Sequence, residues 1–174
     1  MTDVSTTSHW RVFLYALAEE VDTQGGIAAR DELLRGVGRR MAKLRPILSV
    51  SGIDLLATEI NEQLSTMGWG SVSLRTDDEY PALLIIHTGL PWVGAIAEPP
   101  GTWLSAVLEG LYQGWLSQLP TNDVSMVVRR ESVTARTVTL HYSRRTVGTS
   151  YQMGTVRLQP PIAQRESDSH NGQS

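Results

Sequence analysis

The sequence predicts an α+β fold, with helices packed on a small antiparallel sheet in a single domain. Three observations carry this. Apolar residues recur at spacings of three and four through 10–21, 27–44, 53–67 and 104–119, the period of a helix face. The period changes to alternation or to short apolar runs at 69–75, 82–88, 124–130 and 137–143, as strands require. These elements follow one another as three helices, a hairpin, a helix and a hairpin, an order that suits helices layered on an antiparallel sheet. A chain of 174 residues, 41% hydrophobic and 19% charged, fits one globular domain able to bury its own core. The domain is expected over 8–158, between a flexible segment at 1–7 and a disordered polar tail at 159–174.

In chain order, Thr7 or Ser8 can cap a helix over 8–23 that buries Trp10, Phe13, Leu14, Leu17 and Val21. Gly25 and Gly26 end it. The next helix covers 27–44, buried through Ile27, Leu34, Val37, Met41 and Leu44. Asp31, Arg35, Arg39 and Lys43 then fall on its outer side, as a solvated face or a binding stripe. Ser51 and Asp54 make a capping-box pattern for a third helix, with Ile53, Leu56, Ile60, Leu64 and Met67 inward and Gly68 as the stop. The apolar run at 82–88 reads as a strand buried on both faces.

The stretch 98–115, EPPGTWLSAVLEGLYQGW, predicts the central helix. Two prolines hold off a helix until Thr102 can cap one. Leu104, Val107, Leu108, Leu111, Tyr112, Trp115 and Leu119 form one face. Ala106, Gly110 and Gly114 form a stripe of small residues. Glycine inside a helix costs about 1 kcal/mol relative to alanine, so the stripe implies close approach by a neighbour. Ser105, Glu109, Gln113 and Ser117 make a polar face. A third strand can occupy 150–158.

Chemistry is limited by what is missing. The chain has no cysteine and a net charge of −3 without a basic block, which argues against thiol catalysis and general nucleic-acid binding. All its basic residues except Lys43 are arginines, which suit planar pairing at interfaces. No nucleophile elbow, zinc-protease helix, P-loop or dinucleotide fingerprint occurs. His9, His87, His141 and His170 are widely separated, so neither a metal nor a cofactor is expected. His87 reads as a core or interface histidine. Glu98 reads as a helix-start acid rather than a glycosidase carboxylate. Trp92, in the 89–101 loop, could stack on a sugar or pack. Arg129, Arg130, Arg144 and Arg145 bracket the last hairpin, as solvated strand ends or as a subunit contact. No signal peptide or apolar run of membrane-spanning length is visible.

The same central stretch resembles the hallmark segment of the D subunit of bacterial cellulose synthase. The stretch 26–42, GIAARDELLRGVGRRMA, is similar too, with shorter echoes at 67–74 and 85–94, in the right order over about 10–145. Arg30, Leu33, Leu34, Val37, Gly38 and Met41 match, as do Gly101, Thr102, Trp103, Leu104, Val107, Leu108, Glu109, Gly110, Leu111, Tyr112 and Trp115. These matches read as architectural. The resemblance implies a subunit without catalytic activity that assists extrusion, ordering and crystallisation of glucan chains. It implies a ring-like homo-octamer built from dimers, with other synthase subunits and nascent cellulose as partners. It implies passages associated with the N-terminal segments. Thr6, Thr7, Ser8 and Trp92 are the glucan-contact candidates, on their hydrogen-bonding or stacking chemistry. The expected location is the cytoplasm, beside the inner-membrane synthase, with the periplasm as alternative. The alternative function is a stand-alone carbohydrate-binding module for β-glucan.

Overall fold

Two helices, the first of them bent, are followed by a hairpin, a third helix and a second hairpin. The computed structural model describes residues 4–48, 51–76, 82–91, 93, 101–120 and 123–145, giving the backbone course alone for 4–9. Helix α1 spans Val4–Leu44 and α2 Ile53–Met67; β1 is Ser71–Thr76 and β2 Leu83–Thr88. A single 3₁₀ turn over Thr102–Leu104 leads into α3, Ser105–Leu116. Strands β3, Met126–Val133, and β4, Thr137–Arg144, close the fold.

The two helices expected on either side of Gly26 are two arms of α1. Gly26 stands between them at φ 75° and ψ 174°, a conformation that a side chain would strain. Leu14, Ala18 and Val21 of the first arm line one groove with Leu34, Val37 and Met41 of the second, so the arms face each other. Arg30 Nη1 reaches back across the bend to Asp22 Oδ2, 3.3 Å away. The helix starts at Val4, so residues 4–7 are helical where a flexible segment was expected.

Both arms correct the expected burial. Trp10, Phe13 and Leu17 are exposed, at 60%, 55% and 44%, and so are Ile27, Val37 and Leu44. The second arm instead buries Arg30, Asp31, Gly38 and Ala42. Leu14, Leu34 and Met41 do pack against the core, but the fully buried positions of the second arm, where it meets α3, are taken by small residues and ion pairs.

Caps differ as well. Gly52 is the N-cap of α2 and no side chain bonds there, so the Ser51–Asp54 capping box does not form. Thr102 does not cap α3; it opens the 3₁₀ turn and is buried. Gly68 stops α2 as expected, at φ 69°, with Trp69 N–H donating to Leu64 O at 3.0 Å.

The four strands are antiparallel in the order β1-β2-β4-β3. Register places Val72, His87 and Val138 side by side, and likewise Leu74, Ile85 and Leu140. Their face carries the buried Val72, Ile85, His87, Val138, Leu140 and Tyr142. On the opposite face of β2, Leu84 and Ile86 are half-buried, so burial on both faces does not hold among the described residues. Strand β3 runs past Arg130 to Val133, with a bulge that leaves Glu131 outside the register. Helix α3 lies between α1 and the sheet. Every residue from Ser105 to Tyr112 is buried, including Ser105 and Glu109 of the face expected to be polar, whereas Gln113 is half-buried and Ser117 exposed. The strand expected at 150–158, the tail at 159–174, Glu98 and Trp92 lie outside the described residues.

Candidate functional site

The crossing of α1 and α3 gathers most of the residues singled out from sequence. Gly38 and Gly110 lie where each helix touches the other's backbone. A methyl group on Gly110 would overlap the backbone of Arg35, and one on Gly38 would overlap Val107 O and Leu111 N. One on Gly114 would come within 2.5 Å of Ala42 Cβ. The stripe of small residues is thus the surface on which α1 seats.

Charges lock the same crossing. Glu109 of α3 is nearly buried between two arginines from other elements. Arg35 Nε donates to Glu109 Oε2 at 2.7 Å, and Arg130 Nε of β3 stands 2.9 Å from Oε1 as an ion pair without good hydrogen-bond alignment. Arg130 also donates to Asp31 Oδ2 at 3.1 Å and to Ser105 Oγ. Asp31 in turn accepts from Arg30 at 3.2 Å. Arg35 is held above the ordinary arginine value, chiefly by its bond to Glu109 and against its own desolvation. Asp31 and Arg35 are therefore neither a solvated face nor a binding stripe; they are internal ties. Arg39 and Arg35 share the exposed Glu32, whose carboxyl they hold below the usual range.

The matched aromatics are tied inward. Trp115 Nε1 donates to Arg45 O at 2.7 Å, which fixes the chain leaving α1. Trp103 Nε1 donates to Val93 O at 3.3 Å, and Gly101, at φ 80°, turns the chain just before it. Gln113 Oε1 accepts from Val128 N–H at 2.7 Å and binds α3 to β3. Tyr112 meets His87 Nδ1 at 2.8 Å through its hydroxyl.

His87 is fully buried and its Nε2 has no hydrogen-bond partner. Desolvation lowers its pKa to about 4, with the Trp69 backbone opposing weakly. The folded protein therefore keeps a neutral His87 where the unfolded chain, near pH 6.5, takes up a proton. Stability contributed by this group is complete above pH 6.5 and falls as pH drops toward 4, by about 3 kcal/mol in total. Urea melts of wild type and His87→Gln across pH 4–7 check this. Wild type should lose more stability on acidification, and parallel curves would refute the assignment.

The hairpin arginines do not converge. Successive residues point to opposite faces, so Arg130 turns inward to the ion cluster while Arg129 lies opposite His141 on the outer face. Within this chain Arg130 acts as an internal tie. Arg144 pairs with Asp123 at 3.4 Å at the surface, and Arg145 N–H bonds Ser125 O at 2.8 Å. Thr6, Thr7 and Ser8 sit in the first turns of α1. Among the described residues no three His, Asp or Glu side chains gather to hold a metal, and no helix is long and apolar enough to cross a membrane.

Sequence reasoning missed the apolar surface of α1. Trp10 and Phe13 contact edge to face at 5.8 Å between centroids, yet both are exposed. Beside them a groove of about 250 Å³ runs between the arms, lined by Leu17, Val21, Leu33, Val37 and Trp103. The signal was a surplus of apolar positions: the two arms carry more than one face can bury.

A family model for the D subunit of cellulose synthase matches residues 1–143. Cellulose synthase operon protein D of Komagataeibacter sucrofermentans is 41% identical over 157 residues, covering 86% of this chain and 100% of that protein. Two Komagataeibacter xylinus proteins of the same name are each 40% identical, covering 86% and 83% of this chain and 100% and 97% of theirs. The chain belongs to the family of cellulose synthase D subunits.

Proposed function

We propose that the protein is a non-catalytic subunit of the bacterial cellulose synthase complex. It assists extrusion, ordering and crystallisation of nascent β-1,4-glucan through passages in a homo-octamer built from dimers. The observation that carries this reading is the likeness to operon D proteins along their whole length. The exposed side of α1 supports self-assembly. A contiguous apolar surface around Phe13 and Leu17, beside an apolar groove, favours burial against another subunit. Thr6, Thr7 and Ser8, at the start of that helix, and Trp92 are the proposed glucan contacts. Many weak polar contacts suit a moving polymer better than one tight site. The other synthase components are the remaining partners. The proposed location is the cytoplasmic face of the inner membrane; recovery of untagged protein in an osmotic-shock fraction would move it to the periplasm.

Light scattering on the full-length chain tests the assembly. A concentration-independent mass eight times the 19.2 kDa chain is expected. A stable monomer would leave no passage to thread and would overturn the reading. Phe13→Asp should lower the mass without unfolding the chain, since Phe13 is more than half exposed in one copy.

A further inference from the structure

We infer that the open cleft between the first arm of α1 and the end of the sheet is a binding site for a phosphorylated ligand with a planar ring, of nucleotide class. The cleft holds about 820 Å³, within the range of small-molecule sites. Its walls include Trp10 and Arg11 from α1, Trp69 from the α2–β1 junction, and Arg136 from the β3–β4 turn.

The floor is fixed rather than loose. Gly70 passes so close to Thr88 O and Gly89 that a methyl group there would overlap both. Gly89 and Leu90 donate their N–H groups to Arg136 O at 2.8 and 3.3 Å, which pins the backbone that carries the Arg136 guanidinium. Trp69 is anchored through its N–H to Leu64 O. Two elements that frame the site are thus held before any ligand arrives, which lowers the ordering cost of binding.

Side-chain chemistry selects the ligand class. Every strong polar group on the lining side chains is a donor: two guanidinium groups and two indole N–H groups. No carboxylate, amide or hydroxyl lines the cleft among the described residues. A sugar hydroxyl both donates and accepts, so a polyol site would mix in acceptors. A phosphate only accepts, and guanidinium matches it in shape and charge. Among the described residues, neither Arg11 nor Arg136 has an ion-pair partner, although Arg30, Arg35, Arg39, Arg130 and Arg144 do. Trp10, Trp69 and Pro91 add apolar surface, on which a nucleobase can stack.

The inference goes beyond the glucan reading, and its failure would leave that reading untouched. Full-length protein is titrated with adenosine and uridine 5′-monophosphates, reading tryptophan fluorescence and heat. Saturable binding is expected, at least tenfold tighter than for adenosine or inorganic phosphate alone. Arg136→Gln and, independently, Arg11→Gln should each weaken it at least tenfold. Arg75→Gln, on the exposed edge strand, should not. Either arginine variant suffices if the other loses its fold by circular dichroism. Absence of saturation at millimolar nucleotide would overturn the site. So would unchanged affinity in the arginine variants, equal binding of phosphate alone, or preference for cellopentaose over both nucleotides.

Discussion

Gly110→Ala is expected to lower the unfolding free energy by about 3 kcal/mol, although alanine is the better helix former by about 1 kcal/mol. The sign follows from what the new methyl would meet. The nearest atoms are backbone atoms of Arg35, which cannot rotate away. Relief requires α1 to move off α3, and Gly38 and Ala42 would lose their seats with it. Gly36→Ala, on the second arm of α1, is the control. Its nearest atom is Arg39 Nη2, the tip of a flexible side chain 3.9 Å away. There the ordinary helix preference acts alone, and stability should rise by about 1 kcal/mol. Thermal melts of the two variants should move in opposite directions, Gly110→Ala falling by about 6–12 °C on the usual scale for a chain of this size. Equal tolerance of alanine at both positions would mean the helices do not cross backbone to backbone.

Gly110 shows what the sequence could reveal. The spacing of Ala106, Gly110 and Gly114 announced a close approach because two interior glycines have a cost that something must offset. Periodicity located α2 and both hairpins, whose registers depend on local turns. It placed only part of the buried side of α1, Leu14, Leu34 and Met41, because it assigns large apolar residues inward. Here Asp31, Gly38 and Ala42 go inward, while Trp10, Phe13 and Val37 stay outside one copy. The ion cluster was illegible for a different reason. Arg35 and Glu109 are 74 positions apart and Asp31 and Arg130 are 99 apart, so only the tertiary fold joins them. Arg129–Arg130 looked like one basic unit, yet the strand's alternation sends the two to opposite faces. The cleft beside Trp69 was hidden likewise, since its walls come from four separate segments.

Glu109→Gln is the second large effect expected. The substitution preserves shape and one acceptor but leaves Arg35 and Arg130 facing a neutral group. Removing one partner of a buried pair typically costs about 3–5 kcal/mol, because the charge left behind lacks compensation. Here the two arginine side chains are 31% and 29% exposed, so water recovers part of that loss. A cost of about 2–3 kcal/mol is the expected result. The mechanism makes a further demand. If the penalty lies in stranded guanidinium charge, removing the charges together should restore stability. The triple variant Arg35→Met, Glu109→Leu, Arg130→Met should therefore melt nearer to wild type than Glu109→Gln does, since well-packed apolar groups can replace a buried ion cluster. Asp31 sets a limit on that recovery. It would keep Arg30 at 3.2 Å but lose Arg130, so the triple variant should not exceed wild type unless Asp31→Asn is added. A triple variant no more stable than Glu109→Gln would place the energy in shape and hydrogen bonding instead of in charge. The α1–α3 crossing would then be held by its glycine stripe, with the ions only orienting β3.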